Sequence, residues 1–168
     1  MKVLFVCSAN LCRSPLAENI LKDMLHKKGI SEVKVESAGI HDYSGMPFDY
    51  TMVSYARKEG YELSGCSKCL TQSMADAADL IICMESFHVV ELQRRFVPYA
   101  RWHCIHRFNE ICFDEQSDLM DPSGDSGYMY SVVLEKIQEG IRNLVWKIER
   151  KIRYGDIFLS DTTNYGLN

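Results

Sequence analysis

Eight residues near the start of the chain, Cys-Ser-Ala-Asn-Leu-Cys-Arg-Ser from Cys7 to Ser14, bring together two thiols, a guanidinium, two hydroxyls and an amide. They follow directly on the apolar run Val3-Leu4-Phe5-Val6 and precede Pro15. A turn between a buried strand and a helix aims several backbone N–H groups at one point, and the helix adds its positive end. Arg13 adds a planar fork of donors matched to phosphate oxygens. A positive field of this kind favours thiolate over thiol, and the thiolate is the nucleophilic form of cysteine. Ser14 is placed to hydrogen-bond the sulfur, and Asn10 to pin the loop through its amide. The result is a nucleophile inside an oxyanion-binding cup, which is chemistry for phosphoryl transfer through a phosphocysteine. The plainer alternative is that Cys7 only finishes a buried strand and that Arg13 is a surface cation. The pair brackets a strand end and a helix start, and that context favours the cup.

The elements that would hold such a loop are legible in the hydrophobic pattern. Residues 2–6 read as a strand buried on both faces. Ser14-Pro15 offers a cap and a first-turn proline, and Leu16, Ile20, Leu21, Met24 and Leu25 follow at helical spacing until Gly29. Val33 and Val35 begin a second strand that ends at Ser37-Ala38-Gly39. A loop through His41, Tyr43 and Gly45 leads to a helix near 48–59, and Thr71 caps a short one. Residues 79–83 form a buried strand, 86–96 a helix and 102–106 a last strand. Residues 109–125 are polar and acidic and read as loop. A long amphipathic helix covers about 127–153, and 154–168 is a tail whose period is lost. Strands alternating with helices predict an α/β fold: a doubly wound parallel four-stranded sheet with helices on both faces. Ligands bind such sheets beyond the carboxyl ends of the strands, where Cys7–Ser14 falls. The 168 residues are expected to form one domain, 1–153, followed by the tail.

The net charge of −4 and pI near 5.7 give no sign of nucleic-acid or anionic-membrane binding. The apolar stretch after Lys2 is too short for a signal-peptide core or a membrane span, so the expected location is cytoplasmic. Reduced thiols are then the default for the seven cysteines. A zinc module built from Cys66, Cys69, His103, Cys104, His106 and Cys112 is the alternative from another class. It is disfavoured because Cys104 and the two histidines fall on opposite faces of a strand. No metal or other cofactor is expected.

The loop, with Ser37-Ala38-Gly39, Ala78–Met84, Asp121-Pro122 and the final helix, resembles the low-molecular-weight protein tyrosine phosphatases over about residues 1–150. The resemblance implies hydrolysis of phosphotyrosine in a protein substrate, with inorganic phosphate as product. Cys7 is then the nucleophile, and Arg13 and the loop from Ser8 through Ala9, Asn10, Leu11 and Cys12 bind phosphate. Ser14 and Ser37 support the loop. Among Glu110, Asp114, Glu115, Asp118, Asp121 and Asp125 it selects Asp121 as general acid and base. Leu11 and Tyr43 would line the substrate, since related arginine phosphatases carry threonine at the Leu11 position.

Three positions depart from the family pattern. Ala9 stands where glycine is usual, and is tolerable only if its φ is not positive. Cys66 stands where histidine commonly supports the loop, and Ser123 where an aromatic often lines the entrance, a place that Tyr128 could fill. The resemblance also supports a protective disulfide between Cys7 and Cys12. Arsenate reduction on the same fold would need two further cysteines in a mobile segment after the third strand, whereas Cys83 lies within that strand and Met84–Val90 supplies no second thiol. A phosphate-binding protein without catalysis is a further alternative, disfavoured because Cys7, Arg13 and Asp121 are all present.

Overall fold

The computed structural model describes residues 1–125 and 127–155, so most of the expected tail (156–168) lies outside the described residues. Strands β1 (Lys2–Cys7), β2 (Lys34–Gly39), β3 (Leu80–Cys83) and β4 (Ile105–Arg107) form one sheet in the order β2-β1-β3-β4. All three pairings are parallel, with Val3 opposite both Val35 and Leu80. The helices are α1 (Arg13–Lys27), α2 (Tyr50–Lys58), α3 (Gln72–Ala77), α4 (Ser86–Arg95), α5 (Phe108–Phe113) and α6 (Gly127–Tyr154).

Strand β1 is central, and its alternate side chains enter two cores. Val3, Phe5 and Cys7 face a core shared with α1, α2, α5 and α6, whereas Leu4 and Val6 face one shared with α3 and α4. This two-sided burial explains why residues 3–6 are apolar without interruption. Helix α6 buries Val133, Leu134, Ile137, Ile141, Leu144, Val145 and Ile148. Each such side chain contributes about 1.5–3 kcal/mol, so their sum far exceeds the helix-propensity cost of about 1 kcal/mol at Gly140. That glycine is required: a Cβ there would lie 2.6 Å from the Phe108 ring.

Three boundaries differ from the sequence pattern. Helix α1 starts one residue before Ser14, with Cys12 at the cap and no side-chain cap bond, because the Ser14 hydroxyl is engaged elsewhere. The last strand is only Ile105–Arg107, preceded by a 3₁₀ turn over Tyr99–Cys104 that Arg101 ties to the Ala75, Asp76 and Ala78 carbonyls. The third is α5, which occupies part of the expected loop 109–125. Its first turn is capped by Glu110, which accepts from the Arg107 N–H. Its last carbonyls, of Ile111 and Cys112, accept from Lys147 and Asn143 of α6. Those donors lie more than thirty residues away in sequence, so local composition carried no trace of them.

Candidate active site

Residues Ser8–Cys12 leave the carboxyl end of β1 and return into α1, and the side chains singled out from the sequence converge there. Cys7 is buried, with its Sγ 2.9 Å from Ser14 Oγ and 3.2 Å from the Asn10 backbone N–H. Asn10 Nδ2 donates to both Ser14 Oγ (2.9 Å) and Ser37 Oγ (2.8 Å). Ser14 Oγ therefore accepts from Asn10 and is free to turn its own proton to the sulfur. Two donors therefore converge on one sulfur.

Asn10 is the keystone of the loop. Its φ of 55° is left-handed, a conformation that asparagine tolerates better than most residues. Ala9 is absent from the positive-φ positions, which meets the condition set by its replacement of glycine. The Asn10 Oδ1 accepts from Lys68 N–H at 2.9 Å, and the Ser37 hydroxyl donates to Glu18 Oε2 at 2.5 Å. The Ser67 hydroxyl donates to the Ala9 carbonyl at 2.6 Å. Support therefore comes from Glu18, Ser67 and Lys68, while Cys66 beside them is exposed. The brace thus bypasses position 66, where the family pattern places a histidine.

Gly39 closes the base of the loop. A Cβ at this position would lie 2.7 Å from the Ala9 carbonyl carbon and 3.0 Å from Asn10 N, both backbone atoms that cannot swing away. Gly39→Ala is expected to cost about 1–3 kcal/mol of stability, in line with other overpacked sites, and to lower activity in the folded fraction. Thermal unfolding combined with active-site titration checks this; unchanged stability and rate would contradict it.

Arg13 is buried to 1% exposure, which disposes of the surface-cation alternative. Its Nη1 donates to the Leu119 carbonyl at 2.9 Å, and its Nη2 meets Glu85 Oε1 at 2.7 Å and Asp121 Oδ2 in a shorter contact. Leu119 also donates its N–H to the Met84 carbonyl at 2.8 Å, fixing the segment that delivers Asp121. Of the six acids in the late loop, Asp121 pairs with Arg13. Glu110 caps α5, Asp114 and Glu115 pair with Lys147 and Lys136, and Asp118 accepts from Ser86.

Leu11 is half-buried, belongs to neither core, and gives its carbonyl to the Asp49 N–H. Tyr43 and Tyr128 are exposed. Phe87, at the start of α4, is also exposed and stacks on His41 at 6.3 Å between ring centroids. The His41 N–H donates to the Ser8 carbonyl, so this aromatic pair adjoins the loop. Phe87, Glu85 and His88 carry no local signal in the sequence. Burial, reinforced by the charges of Asp49, Cys7 and Asp121, pushes the Cys12 thiol up, while Arg13 pulls the other way. Cys12 therefore stays protonated beside Cys7. All seven cysteines are free; Cys83 is wholly buried in β3, and Cys104 and Cys112 lie in different cores.

Burial also pushes the His88 imidazole down to about 4, against the pull of Glu85 and with help from Arg13. The unfolded chain, with a histidine near 6.5, then binds more protons than the fold at intermediate pH. Stability from this site is thus complete above about pH 6.5 and is lost as pH falls toward the folded-state value. The charges of Glu85, Asp118 and Asp121 also act on the ring, so the measurement is a comparison. The melting temperature of the wild type should fall more steeply from pH 6.5 to 4.5 than that of His88→Asn. Parallel slopes would contradict it.

The family model described as low molecular weight phosphotyrosine protein phosphatase matches residues 2–154. A probable low molecular weight protein-tyrosine-phosphatase, EpsP, of Ralstonia nicotianae is 34% identical over 140 residues, covering 83% of this chain and 90% of its own. The protein-arginine-phosphatase of Bacillus subtilis is 27% identical over 153 residues, 91% of this chain and all of its own. Among solved structures, a protein tyrosine phosphatase from Entamoeba histolytica with Hepes in the active site superposes with a TM-score of 0.83 at 26% identity. That match covers 90% of this chain and 99% of the other. A YwlE arginine phosphatase variant with a phosphorylated active-site serine gives 0.85 at 25% identity, covering 91% and 99%.

Proposed function

This chain belongs to the low molecular weight phosphotyrosine protein phosphatase family, and from that premise we propose that it hydrolyses phosphotyrosine in proteins through a phosphocysteine on Cys7. The observation that carries the mechanism is the placement of the Cys7 sulfur between the Ser14 and Asn10 donors, in the loop that leads directly to buried Arg13 and its partner Asp121. The Leu11 and Cys12 amides donate to no protein acceptor among the described residues, and with the Arg13 fork they suit the phosphoryl oxygens. A bound phosphoryl group competes for the Arg13 Nη2 that Asp121 holds. Released from the pair, Asp121 in its protonated form gives its proton to the leaving phenolate, and the carboxylate left behind then deprotonates the water that attacks the phosphocysteine. Ser14 stabilises the thiolate as it departs in that second step. The reaction needs no metal, since Arg13 and the start of α1 supply the positive charge.

Among the described residues no helix is long and apolar enough to cross a membrane. Leu11 outside the core and exposed Tyr43 suit an aromatic leaving group better than a guanidinium, which favours phosphotyrosine over phosphoarginine. Phe87, on its stack with His41, is a candidate for the aromatic that Ser123 does not supply. Assays of purified protein against phosphotyrosine, phosphoarginine and phosphoserine peptides test the assignment. Preference for phosphotyrosine is expected, with little action on phosphoserine, whose shorter side chain does not reach a buried cysteine. Equal or better turnover of phosphoarginine would transfer the chain to the arginine-specific reading, which its likeness to the Bacillus subtilis enzyme makes the second choice.

Cys12 has a separate part. Peroxide converts a reactive thiolate to sulfenic acid and then to irreversible products. The negative charge of Cys7 is among the influences holding the Cys12 thiol up, and oxidation of Cys7 removes it. Cys12 then displaces hydroxide from the sulfenic sulfur to give a disulfide and water. Wild-type activity lost to peroxide should largely return with dithiothreitol, and bound phosphate should slow the loss. Cys12→Ser should remain active in reductant but recover far less after oxidation. Equal recovery would reduce Cys12 to a packing residue.

A further inference from the structure

His88 is wholly buried beside the loop but takes no part in the chemistry described above. Both of its ring nitrogens have defined partners. The Glu85 backbone N–H lies 3.1 Å from Nδ1, and an amide N–H can only donate, so Nδ1 carries no proton. Nε2 lies 2.9 Å from Ser8 Oγ and 3.8 Å from Glu85 Oε1, so its hydrogen bond goes to Ser8. With its pKa pushed down to about 4, the ring is neutral at pH 7 and its single proton sits on Nε2. Nε2 donates and Ser8 Oγ accepts.

The consequence falls on Ser8. Its own hydroxyl proton cannot point back at a nitrogen that is already donating. Among the described residues His88 is the only hydrogen-bond partner of Ser8 Oγ, so that proton has no protein acceptor. Ser8 is the residue after Cys7, half-buried, with its carbonyl fixed by the His41 N–H at 2.9 Å. The acceptor for which the loop's other unused donors are arranged is a phosphoryl oxygen. One turn of α4 therefore reaches both ends of the loop: Glu85 pairs with Arg13 Nη2 at 2.7 Å, and His88 holds Ser8.

We propose that the Ser8 hydroxyl donates a hydrogen bond to the phosphoryl group bound in the loop, and that His88 is the positioning residue that keeps Ser8 in this donor state. The inference rests on the phosphatase reading, and it adds a side-chain donor to a cradle otherwise made of amides and Arg13. A donor to a charged oxygen strengthens as charge accumulates in the transition state, so its loss is felt mainly in kcat.

Wild type, Ser8→Ala, Ser8→Thr, His88→Asn, His88→Gln and the Ser8→Ala/His88→Asn double variant are compared on p-nitrophenyl phosphate, with inorganic phosphate as the binding probe. Ser8→Ala should lose about 10- to 100-fold in kcat/KM, the usual scale for one hydrogen bond to a charged group, and Ser8→Thr should recover most of it. The amide of glutamine can replace the Nε2 donor, whereas asparagine can replace only the Nδ1 acceptor. His88→Gln should therefore keep more activity than His88→Asn. In the Ser8→Ala background, His88→Asn should still lower thermal stability but add no further loss in kcat/KM. The proposal is overturned by Ser8→Ala activity within about twofold of wild type, less than one such bond contributes. It is also overturned if His88→Asn lowers kcat/KM equally in both backgrounds, the signature of a purely structural role. If the histidine variants do not fold, the Ser8→Ala and Ser8→Thr pair decides. Absence of wild-type turnover would sink the phosphatase reading itself, an outcome distinct from an inert Ser8→Ala change.

Discussion

Cys7→Ser reduces hydrolysis of p-nitrophenyl phosphate to background while inorganic phosphate still binds; this is the largest effect expected of any single substitution. Serine nearly preserves shape, so the Asn10 keystone and the Arg13 fork stay in place to hold the anion. What is lost is chemistry. A hydroxyl beside Ser14 and the Asn10 amide is a far weaker nucleophile than a thiolate, and an alkoxide is a far poorer leaving group in the second step. A stoichiometric phosphoserine is compatible with this, because it would be a dead end. Steady-state assays paired with calorimetric titration of phosphate check it. Continued turnover would remove Cys7 from the mechanism, and loss of phosphate binding would mean that the substitution had collapsed the loop.

Asp121→Asn is expected to lower kcat by about 10²–10⁴-fold, the range for removing a general acid. The amide keeps an oxygen for Arg13 but carries no proton for the leaving group. The size of the loss should depend on that group. Unsubstituted phenyl phosphate, whose phenolate is strongly basic, should suffer more than p-nitrophenyl phosphate, whose phenolate departs with little help. A uniform loss across leaving groups would instead point to a binding role through Arg13. Asp121 pairs with Arg13 whereas Asp118 accepts from Ser86, so the corresponding change at Asp118 should act by loosening those bonds rather than through proton transfer.

The parts of the molecule that announced themselves in the sequence did so because their signals are local. An unbroken apolar run predicts a strand buried on both faces, and β1 is the inner strand whose alternate residues feed two cores. Cys7, Asn10, Arg13 and Ser14 sit within a single strand-to-helix turn, so their convergence required no knowledge of the rest of the fold. The missed features depend on long-range partners. Helix α5 looked like polar loop because its C-terminal carbonyls are satisfied by Asn143 and Lys147. The brace of the loop lies not at Cys66 but at Glu18 in α1 and at Ser67 and Lys68 in a second segment. His88 and Glu85 were invisible for the same reason: only the close of β3 against β1 carries the start of α4 to Ser8 and Arg13. Asp121 lay between these cases. Its loop gave six acids to choose from, family resemblance chose one, and the Leu119 contacts with Met84 and Arg13 are what deliver it.

A covalent phosphate on Cys7 can be caught by rapid mixing followed by a denaturing quench. Enzyme mixed with excess p-nitrophenyl phosphate should release a burst of p-nitrophenolate stoichiometric with active sites. Mass spectrometry of the quenched protein should find the added phosphate on the peptide containing Cys7, and the signal should decay once substrate is exhausted. Steady turnover with no phosphorylated Cys7 peptide, or with the phosphate on another residue, would contradict the mechanism.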